Sequence, residues 1–363
     1  MQPMWQRRAR RRRSAAAPVL PSLPKPVVPR LPVRRLPVPR PREPPVRPPR
    51  PRAARPAAGQ WVHGRAPLGG RSYDVYLPAG YRRRTRAPLL MLLHGCTQTP
   101  AEFADATRFT AVADRNGILL VLPHQESRHH PQRCWRWYEA SHQRRGSGEP
   151  ALLAAIVARV LEEQERWRAD PRRVYVAGLS AGGAMALILG ATYPDVFAAV
   201  GAHSAPPYRS ATRGGQALAA MAARTAMPQP GGEPMAPLIV VQGTRDRVVN
   251  PANGDRVADQ WLAMRGAARP DPRDPGRITR SRSDAAHSGD GRGYTRVRWY
   301  SARGRRVLEY WVVAGLGHAW SGGRAGGSFS DPAGPRAATV MWAFFRAQRL
   351  ERVVKGASRV AGA

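Results

Sequence analysis

Val174-Tyr-Val-Ala-Gly-Leu-Ser-Ala-Gly-Gly-Ala-Met185 decides how this chain is read. It opens as a β-branched apolar run and turns at Gly178-Leu-Ser180-Ala-Gly182. It continues into an alanine-rich apolar segment, Ala184 to Thr192, that reads as a helix. A strand, a Gly-x-Ser-x-Gly turn and a helix in that order lift the pentapeptide above a glycine-rich turn with an incidental serine. The glycines permit a sharp turn and close approach of strand and helix, and the serine is pushed out at the top of a sheet. The N–H of Ala181 then stands beside it at a helix N-terminus, where the partial positive charge suits a developing oxyanion.

Working outward, Pro88-Leu-Leu-Met-Leu-Leu-His94, Ile118–Leu122, Val196–His203 and Pro237–Gln242 are further apolar runs, as expected of strands buried on both faces of a parallel sheet. Between them, Ala101–Asn116, Pro150–Arg168, Ala252–Arg265 and Pro335–Leu350 read as helices. Arg71–Leu77 reads as an early strand, and Tyr294–Tyr300 with Arg306–Val313 as a hairpin. Residues 125–149 are polar and irregular, and Gly266–Gly293 reads as a charged, mobile insertion. Strands alternating with helices predict an α/β fold, a mostly parallel sheet covered by helices on both faces.

A serine hydroxyl is a poor nucleophile near neutral pH. It needs a base within hydrogen-bond reach, and the base needs an acid to fix its tautomer. In this architecture the order along the chain is Ser, then Asp or Glu, then His, each on a loop after a strand. Ser180, Asp246 and His318 supply that order. Asp246 follows the Pro237–Gln242 run, whereas Asp255 and Asp259 fall on the next helix. His318 sits between Gly317 and Ala319, while His203, His287, His124, His129, His130 and His142 compete for the role. Cys96, in the loop after an early strand, is the candidate for a second backbone oxyanion donor beside Ala181. As a side chain, Cys96 reads as a small buried thiol, and a Cys96–Cys134 disulfide would tie its loop to the tryptophan-rich Cys134-Trp-Arg-Trp-Tyr138. Trp135 and Trp320 are candidates for walls of a substrate cleft, with core packing the alternative. Two cysteines and scattered histidines argue against a zinc site, and no cofactor motif is present.

Five blocks in order carry a resemblance: Leu93-His-Gly-Cys-Thr-Gln-Thr99, Cys134-Trp-Arg-Trp137, Gly178-Leu-Ser-Ala-Gly-Gly-Ala-Met185, Gln242-Gly-Thr-Arg-Asp246 and Gly315-Leu-Gly-His-Ala-Trp-Ser-Gly322. The likeness continues through Ser328-Phe-Ser-Asp-Pro332 and spans roughly residues 60–350. Over that span the chain resembles the polyhydroxybutyrate depolymerase-type esterases. The resemblance implies an α/β-hydrolase domain over 59–350 that cleaves ester bonds with nucleophile Ser180, acid Asp246 and base His318. Polyester oligomers or short acyl esters are the implied substrates, with feruloyl or acetyl esters of plant polysaccharides the alternative. It also favours an extracellular enzyme, with a cytoplasmic one the alternative because no secretory signal is recognisable.

The formal charge of +35 on 363 residues is unevenly spread. Residues 1–58 hold 16 Lys or Arg against the single acid Glu43, leaving +20 on the remainder. Closely spaced prolines from Pro18 to Pro56 forbid helix and sheet ladders. This segment is expected to be disordered, as is a short tail over 351–363. The arm is either a solvated extension or a polyanion contact, and a polyanion-binding protein using the hydrolase fold as a scaffold is the reading from another class. No secretory signal follows Arg7–Arg13, and no apolar run reaches the roughly 18 residues of a membrane span.

Overall fold

The structure, a computed structural model, describes residues 59–66, 68–82, 85–227, 235–266, 278–288 and 291–351. The basic arm expected over 1–58 and residues 352–363 lie outside the described residues.

The described residues open with two antiparallel strands, β1 (Gln60–Arg65) and β2 (Ser72–Leu77). Then follow β3 (Ala87–Leu93), α1 (Pro100–Thr107), α2 (Phe109–Asn116), β4 (Leu119–Pro123), α3 (Gly148–Glu162) and the single turn α4 (Gln164–Trp167). The central unit is β5 (Ala169–Leu179) followed by α5 (Ala181–Thr192). After it come β6 (Ala199–His203), α6 (Ala217–Met221), β7 (Leu238–Gly243), α7 (Ala252–Gly266), β8 (Ile278–His287), β9 (Gly293–Ser301) and β10 (Arg306–Val313). A two-residue pair, β11 (Trp320–Ser321) and β12 (Ser330–Asp331), precedes the closing helix α8 (Ala337–Phe345).

Ten strands form one sheet in the order β1-β2-β4-β3-β5-β6-β7-β10-β9-β8. The six central strands, β4 to β10 in that order, are parallel, and antiparallel pairs finish both edges. This is the α/β-hydrolase arrangement. Successive strand residues face opposite sides. Leu89, Met91, Val174 and Val176 thus enter a core with α3, α5 and α7, while Leu90, Leu92, Tyr175 and Ala177 enter another with α1, α2 and α8. Continuous apolar runs are what two covered faces require.

Three expectations are corrected. The helix read over Ala101–Asn116 is two helices, because Arg108 takes the left-handed conformation with φ +59°. The resulting bend brings Phe103 of α1 and Phe109 of α2 onto one ring, that of Trp320. The helix read over Pro150–Arg168 likewise breaks at Glu163 into α3 and α4. Within the segment read as a mobile insertion, residues 278–287 are the strand β8, paired antiparallel with β9. Its Asp284 accepts from both Arg296 and Arg298 of β9, so opposite charges on neighbouring strands hold a polar edge in register. Residues 267–277 of that segment lie outside the described residues. Among the described residues, no helix is long and apolar enough to cross a membrane.

Candidate active site

Parallel strands direct every following loop to the same end of the sheet, and the three residues expected to act together follow β5, β7 and β10. Ser180 joins β5 to α5 with φ +57° and ψ −121°, a conformation an L-residue holds only when its surroundings impose it. The glycines explain how. A Cβ on Gly178 would stand 2.3 Å from the Gly182 backbone, and one on Gly182 2.1 Å from the Leu93 carbonyl oxygen. Both positions are therefore restricted to glycine by backbone atoms, which do not move aside. The Ser180 N–H donates to the carbonyl of His203 at the end of β6, clamping the turn from the other side.

Asp246 lies wholly buried in the loop after β7, and His318 in the loop after β10. Those loops are stitched together by Arg245 N–H to Leu316 O at 2.9 Å, Thr244 N–H to Val313 O at 3.0 Å and Gly315 N–H to Thr244 Oγ1 at 2.8 Å. The stitching brings His318 Nδ1 to 2.9 and 3.1 Å from the two Asp246 carboxylate oxygens. The Val248 and Val249 N–H groups also donate to Asp246 Oδ1, each at 2.9 Å. Burial alone would raise the Asp246 pKa, but the His318 hydrogen bond and charge and the two backbone donors outweigh it, holding the carboxyl below its ordinary value. The acid is thus ionised and oriented. With Nδ1–H committed to Asp246, Nε2 of His318 is left as the basic nitrogen.

The loop after β3 forms the opposite wall. A Cβ on Gly95 would lie 3.7 Å from Ser180 Cβ, so this loop abuts the serine. Gln98, buried, spans the gap between loops: its Oε1 accepts from Gly95 N–H at 2.9 Å and its Nε2 donates to Ser328 O at 3.0 Å. Among the described residues, neither the Cys96 nor the Ala181 N–H has an acceptor in the protein. Cys96 and Cys134 form a disulfide, reinforced by Thr97 N–H donating to Gln132 O at 2.6 Å.

Both tryptophan expectations are corrected. Trp135 and Trp320 have no exposed surface and cannot line an open cleft. Trp135 donates its indole N–H to His94 O at 3.1 Å, whereas Trp320 packs against Phe103 and Phe109 and stacks on His203 at 5.0 Å.

His203, one of the histidines that compete in sequence for the role of base, has a structural part that the sequence did not reveal. It is fully buried, and burial drives its pKa down to about 3, so it is neutral. Its Nε2 accepts from Ser321 N–H at 3.1 Å and its Nδ1 lies 3.0 Å from Ser204 Oγ. One residue therefore joins the serine turn, through its carbonyl, to the strand just beyond His318, through its ring. Its position at the end of β6, one strand from Ser180, is the only sequence signal it gives. Among the described residues, no group of three or more His, Cys, Asp or Glu side chains is placed to hold a metal ion.

The chain is 29% identical over 255 residues to poly(3-hydroxyalkanoate) depolymerase C of Paucimonas lemoignei, covering 67% of this chain and 57% of that protein. It is 34% identical over 141 residues to feruloyl esterase B of Neurospora crassa, covering 39% and 46% respectively. The chain thus spans about half the length of these curated relatives. Acetyl xylan esterase from Aspergillus awamori superposes with a TM-score of 0.56 at 17% identity, over 72% of this chain and 94% of that one, which shows the shared fold. The family model described as Esterase PHB depolymerase matches residues 71–272, more than half of the chain. The chain belongs to that family of PHB depolymerase-type esterases.

Proposed function

We propose that this protein is a serine esterase. The observation that carries the proposal is the buried, ionised Asp246 accepting from His318 Nδ1, at the sheet end where Ser180 projects from its strained turn. His318 Nε2 takes the Ser180 proton as Oγ attacks the ester carbonyl. The tetrahedral oxyanion accepts from the Cys96 and Ala181 N–H groups, which have no acceptor among the described residues. His318 then protonates the departing alkoxide, and a water activated by the same nitrogen releases the acid.

The substrates this reading favours are short 3-hydroxyalkanoate oligomers, given the family and the depolymerase relative. A feruloyl or acetylxylan ester is the second reading, favoured by the feruloyl esterase relative. The cystine suits an oxidising, extracellular setting. The charge on residues 1–58 motivates a nonspecific polyanion contact. Its check is salt-sensitive DNA binding that disappears when those residues are deleted.

The decisive experiment is hydrolysis of p-nitrophenyl esters of increasing acyl length by the wild type and by Ser180→Ala. The serine variant should fold and lose turnover on the order of 10⁶-fold. A folded, active Ser180→Ala protein would end the proposal. Parallel rates on hydroxybutyrate oligomers and methyl ferulate then choose between the substrate classes.

A further inference from the structure

Phe329 is 44% exposed in a protein whose other phenylalanines are buried. Its backbone φ is +47°, which for a bulky residue is a costly conformation. Three sets of bonds impose it. Trp320 N–H donates to Phe329 O at 2.6 Å, and β11 pairs with β12 so that Ser330 lies opposite Trp320. On the other side, buried Gln98 donates to Ser328 O. Beneath, Ser330 Oγ and the Arg324 N–H both donate to Ala106 O, at 3.3 and 2.9 Å. The loop is therefore anchored to the serine-facing wall, to the histidine strand and to α1. The aromatic ring it presents stands edge-to-face against His318, with centroids 6.2 Å apart. Leaving this ring in water forgoes the stabilisation that burial would give it. A second exposed apolar side chain, Val248 at 47%, stands on the acid loop, where its N–H donates to Asp246 Oδ1.

The chemistry assigns these groups a partner, and this step rests on the esterase reading above. His318 must deliver its proton to the departing alkoxide oxygen, so the alkoxy group lies against His318 in the transition state. The oxyanion, by contrast, lies against Cys96 and Ala181. Apolar surface bordering the histidine thus meets the alcohol portion of the ester. We propose that Phe329, with Val248 of the acid loop, forms the binding wall for that portion and sets a preference for esters whose alkoxy carbon carries an apolar or aromatic group.

The test uses two matched series with wild type, Phe329→Ala and Phe329→Leu. One series varies the alcohol at constant acyl group (methyl, butyl and 2-phenylethyl butyrate). The other varies the acyl group at constant alcohol (methyl acetate, butyrate and hexanoate). Phe329→Ala should lower kcat/KM for 2-phenylethyl butyrate about 10-fold while leaving the methyl series within about 2-fold. Phe329→Leu should recover most of the loss. The common butyryl-enzyme should hydrolyse at the wild-type rate in all three proteins, because water needs no apolar wall. Equal losses on methyl and 2-phenylethyl esters, a loss that follows acyl length, or slowed deacylation would each overturn the assignment, the last showing that the ring merely props His318. These outcomes, seen in a wild type with Ser180-dependent activity, remove only this inference. A wild type silent on both series and on p-nitrophenyl esters removes the esterase reading as well.

Discussion

Replacing Cys134 by alanine should cost both stability and catalysis, and the two losses separate two roles of one bond. The Cys96–Cys134 disulfide closes a loop with a sequence separation of 38. In the chain-entropy treatment, a crosslink of that span removes about 13 cal/mol/K from the unfolded ensemble, or about 4 kcal/mol at 25 °C. That is a large part of the roughly 5–15 kcal/mol by which domains are stable. The bond also reaches the chemistry. Cys96 carries one of the two proposed oxyanion donors, and its loop is otherwise held to residues 130–134 by Thr97 N–H to Gln132 O and by Arg133 to Thr97 O at 3.4 Å. Removing an oxyanion donor outright costs about 10²–10³ in kcat, so loosening one should cost about 10-fold to 100-fold with KM little changed. Urea unfolding at pH 7, followed by tryptophan fluorescence, gives the first quantity. Steady-state hydrolysis of p-nitrophenyl butyrate gives the second, and wild type with and without dithiothreitol should reproduce both. A stability change under about 1 kcal/mol would refute the loop-closure argument. Full loss of stabilisation with kcat unchanged would show that Cys96 N–H is not an oxyanion donor.

Three further predictions follow from individual contacts. Gly182→Ala drives a methyl group into the Leu93 and His94 carbonyl oxygens, 2.1 and 2.6 Å from an ideal Cβ, and should destabilise by more than about 3 kcal/mol in the same unfolding assay. Asp246→Asn keeps the shape but accepts poorly from Nδ1–H, so kcat should fall on the order of 10⁴-fold with the fold intact by circular dichroism. The third concerns acid. Burial pushes the pKa of His203 down to about 3 and that of His94 down to about 4, both below their unfolded value of about 6.5. Below about pH 6.5 the unfolded chain therefore binds protons the folded one refuses, and stability declines as pH falls. Each histidine should cost roughly 2 kcal/mol between pH 7 and pH 5. Unfolding free energies that are flat across that window would show that these rings are not held neutral.

The parts of this molecule that read clearly from sequence are those where a local constraint and a global one coincide. Continuous apolar runs signal strands covered on both faces, and Ser180 and Asp246 each follow such a strand, while His318 follows the hairpin strand β10, which pairs parallel with β7 and so delivers it to the same end. The glycines around Ser180 are legible because backbone atoms forbid anything larger. What did not read clearly depends on contacts between distant segments. Arg108 breaks a helix that its neighbours would continue, since the bend seats Phe103 and Phe109 on Trp320. The strand β8 looks like a charged loop until Asp284 meets Arg296 and Arg298 across the ladder.

The same distinction governs the two aromatic residues nearest the candidate base. Trp320 and Phe329 both stand in glycine-rich stretches shortly after His318, and nothing in composition or periodicity tells which faces solvent. Their fates are linked by one hydrogen bond, from Trp320 N–H to Phe329 O. Pairing β11 with β12 turns the larger indole inward, where His203, Phe103 and Phe109 wait, and holds the phenyl ring outward over His318. A sequence argument that chooses the larger aromatic ring for the substrate wall therefore picks the buried member of the pair. Exchanging their sizes tests this directly. Trp320→Phe should open a cavity under α1 and cost about 1–3 kcal/mol of stability without changing the order of preference among alcohols. Phe329→Trp should leave stability within about 0.5 kcal/mol, as expected at an exposed site, and should change that order. If the Trp320 variant were the one to reorder substrates, the buried indole would be the specificity determinant after all, acting through His203 and the serine turn.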